Sequence, residues 1–165
     1  MQKKVFQLLV DNNAGVLSRI SGLFSRRGYN IESITAGATA DTKYTRITIV
    51  TSGDEDVLEQ IEKQVAKLVD VRDIRELEAD KSVYRELCLI KVRSTQETRQ
   101  GLFSMAEVFR AKIVDVNVDS LIVELTGDQS KIDAFIALVQ DYEILEIART
   151  GIAGLGRGSE DVVYL

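Results

Sequence analysis

The chain has 165 residues, of which 45% are hydrophobic and 28% charged, and its formal net charge is −5. These values predict folded domains with a buried core, and the acidic balance, with no basic run, argues against a nucleic-acid partner bound through its phosphates. The chain has one cysteine, Cys88, which excludes an intrachain disulfide. We therefore expect a cytoplasmic protein with Cys88 in its core.

The first half of the chain shows strand and helix patterns in the order βαββαβ. An amphipathic helix is predicted from residue 15 to residue 27 and ends at Gly28, and a second helix follows Asp54, which we expect to cap it. Apolar and β-branched runs predict strands at residues 4–10, 31–38, 44–52 and 69–77. This order is the ferredoxin-like pattern.

The second half repeats the first. Overlaying the halves places Gly53 on Gly127 and Asp54 on Asp128, and apolar positions then recur in phase. The repeated elements are helices at 96–109 and after Asp128, and strands at 83–92, 113–118, 121–126 and 144–148. We therefore predict an α+β chain with two tandem ferredoxin-like (βαββαβ) domains, residues 1–77 and 83–165, joined by a polar linker at 78–82.

Each predicted domain is one sheet with helices on one face, which leaves its other face and its edge strands open. Open edges invite pairing with another chain. The alternation along residues 44–52 further predicts that both faces of the first sheet are partly covered. We therefore expect a homodimer that joins two sheets edge to edge.

A polar turn separates the first strand from the first helix, and it reads Asp11-Asn12-Asn13-Ala14-Gly15. Backbone N–H groups at a helix N-terminus bind carboxylates, and asparagine amides can bind an ammonium or a carboxylate. With Asn30 after the helix, the pattern predicts two amides and a helix start at one end of the first domain. Each of these residues alone is also a common turn former. Together they favour a receptor site for a free amino acid.

Catalysis is the weaker hypothesis. Without histidine, the commonest general base is absent, as are Cys/His metal sites. The acidic residues lie mostly beside lysine or arginine on predicted helix faces, as on a solvated surface, so we expect neither catalytic nor metal-binding residues. The Gly-rich tail at 151–158 lacks the ending of a phosphate-binding loop and is expected to be flexible, ordering against a partner through Arg149 and Arg157.

The first domain resembles an ACT domain through residues 10–17 (VDNNAGVL) and 27–33 (RGYNIES). More narrowly, nearly the whole chain is similar to the regulatory small subunit of acetohydroxyacid synthase, also called acetolactate synthase. RRGYNIESI at 26–34 is close to a signature of that family, and ILEIARTGIAGLGRG at 144–158 matches it as well.

The resemblance implies a non-catalytic partner of a large catalytic subunit that uses thiamine diphosphate, magnesium and a flavin (FAD). In the family the small subunit raises that activity and confers feedback inhibition by a branched-chain amino acid, usually valine, bound where two ACT domains pair. The implied site takes residues from one protomer and from its partner. The first protomer would supply Asn12, Asn13, Ala14, Gly15 and Val16, and the partner Asn30 and Ile31. We expect apolar residues such as Leu17 and Ile31 to line the side-chain pocket. The second domain, without the Asn/Gly turn, is expected to serve assembly and activation.

Two rival functions are open to the same fold. RNA-recognition modules share this topology but stack bases on sheet aromatics in a basic setting. Here the inner strands carry one aromatic, Tyr44, and the chain is acidic. The stronger rival is a free-standing ACT-domain sensor that controls some other protein.

Overall fold

The computed structural model describes residues 1–159, which form two compact units. The first comprises Met1–Val83 with the described part of the segment that begins at Ile152, and the second comprises Tyr84–Gly151. Both follow the order βαββαβ, which confirms the predicted α+β class and the ferredoxin-like repeat. The predicted boundaries at 77 and 83 stay a prediction, and residues 160–165 of the predicted second domain lie outside the described residues. Within residues 1–159, no helix is long and apolar enough to cross a membrane.

The first unit is one antiparallel sheet with two helices. Its strands lie in the order β2-β3-β1-β4, so β2 and β4 are the edges. The helix α1 ends at Gly28, whose left-handed conformation lets its N–H bond the last turn. The elements are β1 (Gln2–Asp11), α1 (Val16–Arg27), β2 (Asn30–Ala38), β3 (Tyr44–Gly53), α2 (Glu55–Ala66) and β4 (Val71–Glu76).

The core of the first unit lies between the helices and one face of this sheet. Apolar residues spaced for a helical stripe, such as Ile20 and Phe24, pack there against inward strand residues such as Leu8. The other sheet face is covered too, because Gln7, Leu9, Thr48 and Val50 are all at most 3% exposed. The predicted coverage of both faces is therefore confirmed.

The second unit repeats this arrangement, with strand order β6-β7-β5-β8. The segment predicted as linker contains a short 3₁₀ helix, Ala79–Lys81, which lies in the first unit. Cys88 lies fully buried in the core of the second unit, as predicted, and burial raises the pKa of the thiol. The elements are β5 (Ser82–Arg93), α3 (Arg99–Val108), β6 (Lys112–Val116), β7 (Ser120–Gly127), α4 (Gln129–Val139) and β8 (Ile144–Arg149).

The two predicted cap residues behave differently. Asp128 accepts a hydrogen bond from the backbone N–H of Lys131 at 2.9 Å, and this bond lowers the pKa of the Asp128 carboxyl. Asp54 occupies the equivalent position before α2, but its side chain caps no N–H group. Acidic side chains at Glu55 and Asp56 complement the helix dipole there instead.

The Gly-rich tail is ordered where a flexible end was expected. Ala153–Gly156 forms a further strand, β9. The buried Gln7 side chain donates to the Gly154 carbonyl at 2.6 Å, and the Arg157 N–H donates to the Lys81 carbonyl at 2.8 Å. The expectation of a flexible end is therefore wrong for this segment, because its backbone groups find partners within the first unit.

Arg149 does not act as the free anchor that the sequence suggested. Its guanidinium makes two hydrogen bonds to the carboxylate of Glu86, at 2.6 and 3.0 Å, and a third to Asp133 at 3.1 Å. Glu86 is 4% exposed, and a carboxylate so buried needs a cation beside it. The pairing raises the pKa of Arg149 and commits this residue to the second unit.

Candidate effector site

The turn from Asn12 to Gly15 joins β1 to α1 and is fixed at its start by Asn12. The backbone N–H of Asn12 donates to the Lys43 carbonyl, and its side-chain amide donates to the Thr42 carbonyl, both at 2.8 Å. These bonds use the backbone N–H and one of the two side-chain N–H donors of Asn12, and they tie the turn to the connection between β2 and β3. The amide oxygen of Asn12 is left to accept a hydrogen bond from a ligand.

Gly15 begins α1 in the left-handed region, with φ of +85°, and no side chain caps the helix. Val16 packs its side chain into the core, and its N–H lies 3.4 Å from the Asn13 carbonyl. Among the described residues, no acceptor contacts the backbone N–H groups of Gly15, Leu17 and Ser18. The helix therefore presents free donors and the positive end of its dipole at this turn.

Two charged residues that the sequence analysis missed lie at the same turn. Arg19 donates from Nε to a carboxylate oxygen of Asp70 at 2.6 Å, and a Cβ placed on Gly15 would lie 3.0 Å from Arg19 Nη1. The hydrogen bond from Arg19 lowers the pKa of the Asp70 carboxyl. The only sequence signal for Arg19 was its spacing of four residues from Gly15, which places both on one helix face.

Asn30 and Ile31 begin β2 at the far end of α1. The Asn30 amide donates to the Ser52 hydroxyl at 3.1 Å, and the Asn30 carbonyl accepts from the Thr51 hydroxyl at 2.5 Å. Ile31 is half-buried against the core of the first unit. Asn30 is exposed, and like Asn12 it keeps its amide oxygen for another partner.

The predicted placement of both amides at one end of the first domain is wrong. Asp11, which leads into the turn, pairs with Tyr44 on β3, whereas Asn30 pairs with Ser52 on the same strand. At about 3.3 Å per residue, these positions lie roughly 26 Å apart. The physical reason is that β1 and β2 are both antiparallel to β3, so the end of β1 and the start of β2 fall at opposite ends of the sheet.

The equivalent turn of the second unit forms local side-chain hydrogen bonds. Thr95 and Thr98 bond each other reciprocally, each backbone N–H donating to the other's hydroxyl. The Arg99 guanidinium donates to the carbonyls of Asn117 and Val118 at 3.1 Å each. No glycine opens this helix, and its first arginine is engaged with these two carbonyls.

Acidic side chains do not cluster into a metal site in the described part of the chain. Across residues 1–159, no group of three or more cysteine, aspartate or glutamate side chains is arranged to hold a metal ion. Several acidic side chains instead lie in exposed ion pairs, such as Glu59 with Lys63. The turn before α1, with its uncapped helix start, remains the candidate site for a small anionic or zwitterionic molecule.

Comparison with known proteins assigns both halves of the chain to one family. A family model described as an acetohydroxyacid synthase small subunit-like ACT domain matches residues 6–73. A second, described as the small subunit of acetolactate synthase, matches residues 85–158.

Individual relatives match over nearly their whole length. The probable acetolactate synthase small subunit of Methanothermobacter thermautotrophicus is 47% identical over 156 residues, covering 94% of this chain and 93% of that protein. The isozyme 3 small subunit of Escherichia coli is 45% identical over 159 residues, covering 96% and 98%. The crystal structure of the Thermotoga maritima acetolactate synthase small subunit superposes with a TM-score of 0.88 at 41% identity, covering 96% and 99%.

Two family models, relatives above 40% identity across both domains and a matching fold lead to one conclusion: this chain belongs to the family of acetolactate synthase small subunits.

Proposed function

We propose that this chain activates the thiamine-dependent catalytic subunit of acetolactate synthase and confers feedback inhibition by valine on it. Family membership supports the catalytic partner, which we expect to hold the thiamine diphosphate, magnesium and flavin in the cytoplasm. The observation that carries the sensory half is the uncapped start of α1, where backbone N–H groups without an acceptor lie at the end of the turn that Asn12 begins. Such a turn binds a free carboxylate next to an ammonium.

The site is completed by a second copy of the chain. β2 is an edge strand, and two-fold symmetric pairing of two β2 strands runs them antiparallel. The partner's β2 then begins at the sheet end where β2 of the first chain finishes, and the turn after β1 lies at that same end. Pairing therefore brings the second protomer's Asn30 position towards Asn12, although the two are far apart within one chain.

In this arrangement the valine carboxylate lies at the N–H groups that open α1, and the ammonium lies at the asparagine oxygens. Leu17, which is 48% exposed, and the half-buried Ile31 line the side-chain pocket. One methylene in an apolar pocket changes binding by about 1–3 kcal/mol, so we expect valine to be preferred over leucine only partially.

Feedback follows from this two-chain geometry. A ligand that contacts both protomers favours the paired state and biases its geometry, and a coupling of about 1–3 kcal/mol to the catalytic subunit is enough for useful inhibition. Valine is then expected to tighten the dimer.

Isothermal titration of the purified chain with valine, isoleucine, leucine and serine tests the proposal. We expect saturable valine binding and none for serine, and we expect Gly15→Asp to abolish binding by placing a carboxylate where the ligand carboxylate lies. Activity of the catalytic subunit, measured with and without this chain, should rise on its addition and fall again with valine. Wild-type valine affinity in the folded Gly15→Asp variant would contradict this placement.

A further inference from the structure

The start of α1 differs in its electrostatics from the starts of α2 and α4. The start of α3 also lacks an acidic residue, but its arginine, Arg99, donates to two backbone carbonyls. α2 carries Glu55 and Asp56 in its first turn, and α4 is capped by Asp128. The first turn of α1 contains no acidic residue, and its N-cap is Gly15. The positive end of the α1 dipole is therefore not neutralised by an acidic side chain of its own helix.

Arg19 adds a full positive charge to this end of the helix. Its side chain turns back towards the N-terminus, as helical side chains do, and brings Nη1 over Gly15. A cation at this end of a helix is electrostatically unfavourable unless an anion accompanies it. Asp70 supplies one negative charge through the 2.6 Å bond to Nε, which leaves the helix end itself positive.

The same bond fixes which part of Arg19 faces outward. With Nε held by Asp70, the two terminal amino groups are the donors that remain, and the structure gives them no acceptor within residues 1–159. The Arg19 side chain is 48% exposed, so a small solute can reach it. Asp70 is itself anchored, because its carbonyl accepts from the Asp11 N–H at 2.9 Å.

We propose that Arg19 binds the carboxylate of the effector amino acid through its terminal amino groups, and that Asp70 is the residue that positions it over Gly15. This inference rests on the proposed function and specifies how the site recognises its ligand. The helix N–H groups and the arginine fork converge on one anion. The site therefore selects a free α-carboxylate, and an amino acid whose carboxylate is blocked or neutral binds poorly.

The test is a comparison of L-valine with L-valinamide, in which a neutral amide replaces the carboxylate. The wild-type chain should bind valine at least tenfold more tightly than valinamide. Arg19→Gln should lose about tenfold to a hundredfold in valine affinity, as expected for a charge-assisted hydrogen bond, and little in valinamide affinity. Arg19→Lys should recover part of the preference, because lysine restores the charge without the fork. Asp70→Asn should show a preference for valine over valinamide that lies between those of the wild type and Arg19→Gln.

Arg26→Gln is the matched control. Arg26 lies on the same helix, and its Nη1 would lie 3.3 Å from a Cβ on Gly22, so it repeats the Arg19–Gly15 geometry away from the helix start. Its removal changes the net charge equally and should leave the valine-to-valinamide ratio unchanged. Circular dichroism of each variant checks that it is folded.

The outcomes separate this inference from the function on which it rests. If the wild-type chain binds valine and Arg19→Gln keeps both the affinity and the preference, Arg19 is not the carboxylate ligand and the proposed function stands. An equal loss of preference in Arg26→Gln would also overturn the assignment, since net charge alone would then explain it. If the wild-type chain binds no branched-chain amino acid, the proposed function and this inference fail together.

Discussion

Gly15 is required at the start of α1 for two separate reasons. Its φ of +85° is a conformation that L-residues adopt at a cost of about 1–2 kcal/mol, and a Cβ would come within 3.0 Å of Arg19 Nη1. We therefore predict that Gly15→Ala loses stability by about 1 kcal/mol and also loses valine affinity, because the arginine must move. Urea unfolding and valine titration measure the two effects.

Gly158→Ala is the control for backbone strain alone. Gly158 has φ of +80° with no atom within 4 Å of an added Cβ, and it lies outside the candidate site. It should keep wild-type valine affinity. Unchanged valine affinity in Gly15→Ala would show that the contact between Gly15 and Arg19 has no part in binding.

The ion pair of Asp70 with Arg19 predicts that the free energy of unfolding falls as the solution becomes acidic. The hydrogen bond lowers the pKa of Asp70 in the folded state. The stabilisation of the folded state by this bond is therefore complete above the ordinary aspartate pKa of about 3.9, and it is lost as the pH falls through the lowered pKa. Urea unfolding of wild type and Asp70→Asn should therefore differ most above pH 4 and converge towards pH 2. A difference that grows on acidification would contradict the assignment.

The sequence predicts only part of the candidate site. The turn Asn12–Gly15 was identifiable because asparagine and glycine adjoin an amphipathic helix. Arg19 could not be identified as a site residue, because an arginine at an exposed helix position normally faces solvent. The distance between Asn12 and Asn30 was misjudged as well, because it depends on the strand register, which hydrophobic patterns alone leave open.

At the scale of secondary structure, the two helix caps give a matched prediction. Asp128→Ala removes a bond to the Lys131 N–H and should destabilise the chain by about 1 kcal/mol. Asp54→Ala should destabilise the chain by less than Asp128→Ala does, because the Asp54 side chain makes no hydrogen bond to the start of α2. Thermal or urea unfolding of both variants compares them, and an equal or larger loss in Asp54→Ala would be the contrary result.

The strand β9 depends on one buried amide. Gln7 donates to the Gly154 carbonyl and accepts two hydrogen bonds from Arg75, at 3.0 and 3.2 Å. Gln7→Leu would leave the carbonyl and the guanidinium without these partners, so amide hydrogen exchange in residues 153–157 should accelerate. Exchange in β7, which lies in the second unit, serves as the internal reference. Unchanged protection of the tail would mean that its backbone pairing alone holds it.

The sequence located every element of the βαββαβ repeats, because periodicity and turn residues agreed at each of them. β9 was missed, since four residues rich in glycine carry no hydrophobic period. α3 begins at Arg99 and not at 96, because the Thr95–Thr98 turn precedes it. Local side-chain bonds of this kind decide element ends that propensity does not.

At the scale of the whole molecule, the chain is a small, non-catalytic subunit whose first unit is an ACT domain with an open β2 edge. The two halves of its candidate site lie at opposite ends of one sheet. We therefore propose that one functional site requires two chains.

Complementation between two defective chains tests that claim most directly. Asn12→Ala and Asn30→Ala, each alone, should fail to bind valine, because every site in either homodimer lacks one asparagine. Heterodimers of the two, purified through different affinity tags, would contain one site with both asparagines and one site with neither. Titration of this heterodimer should recover wild-type affinity with half the wild-type number of sites. If the heterodimer binds no more valine than its two parent homodimers, Asn12 and Asn30 do not meet across two chains and the account is contradicted.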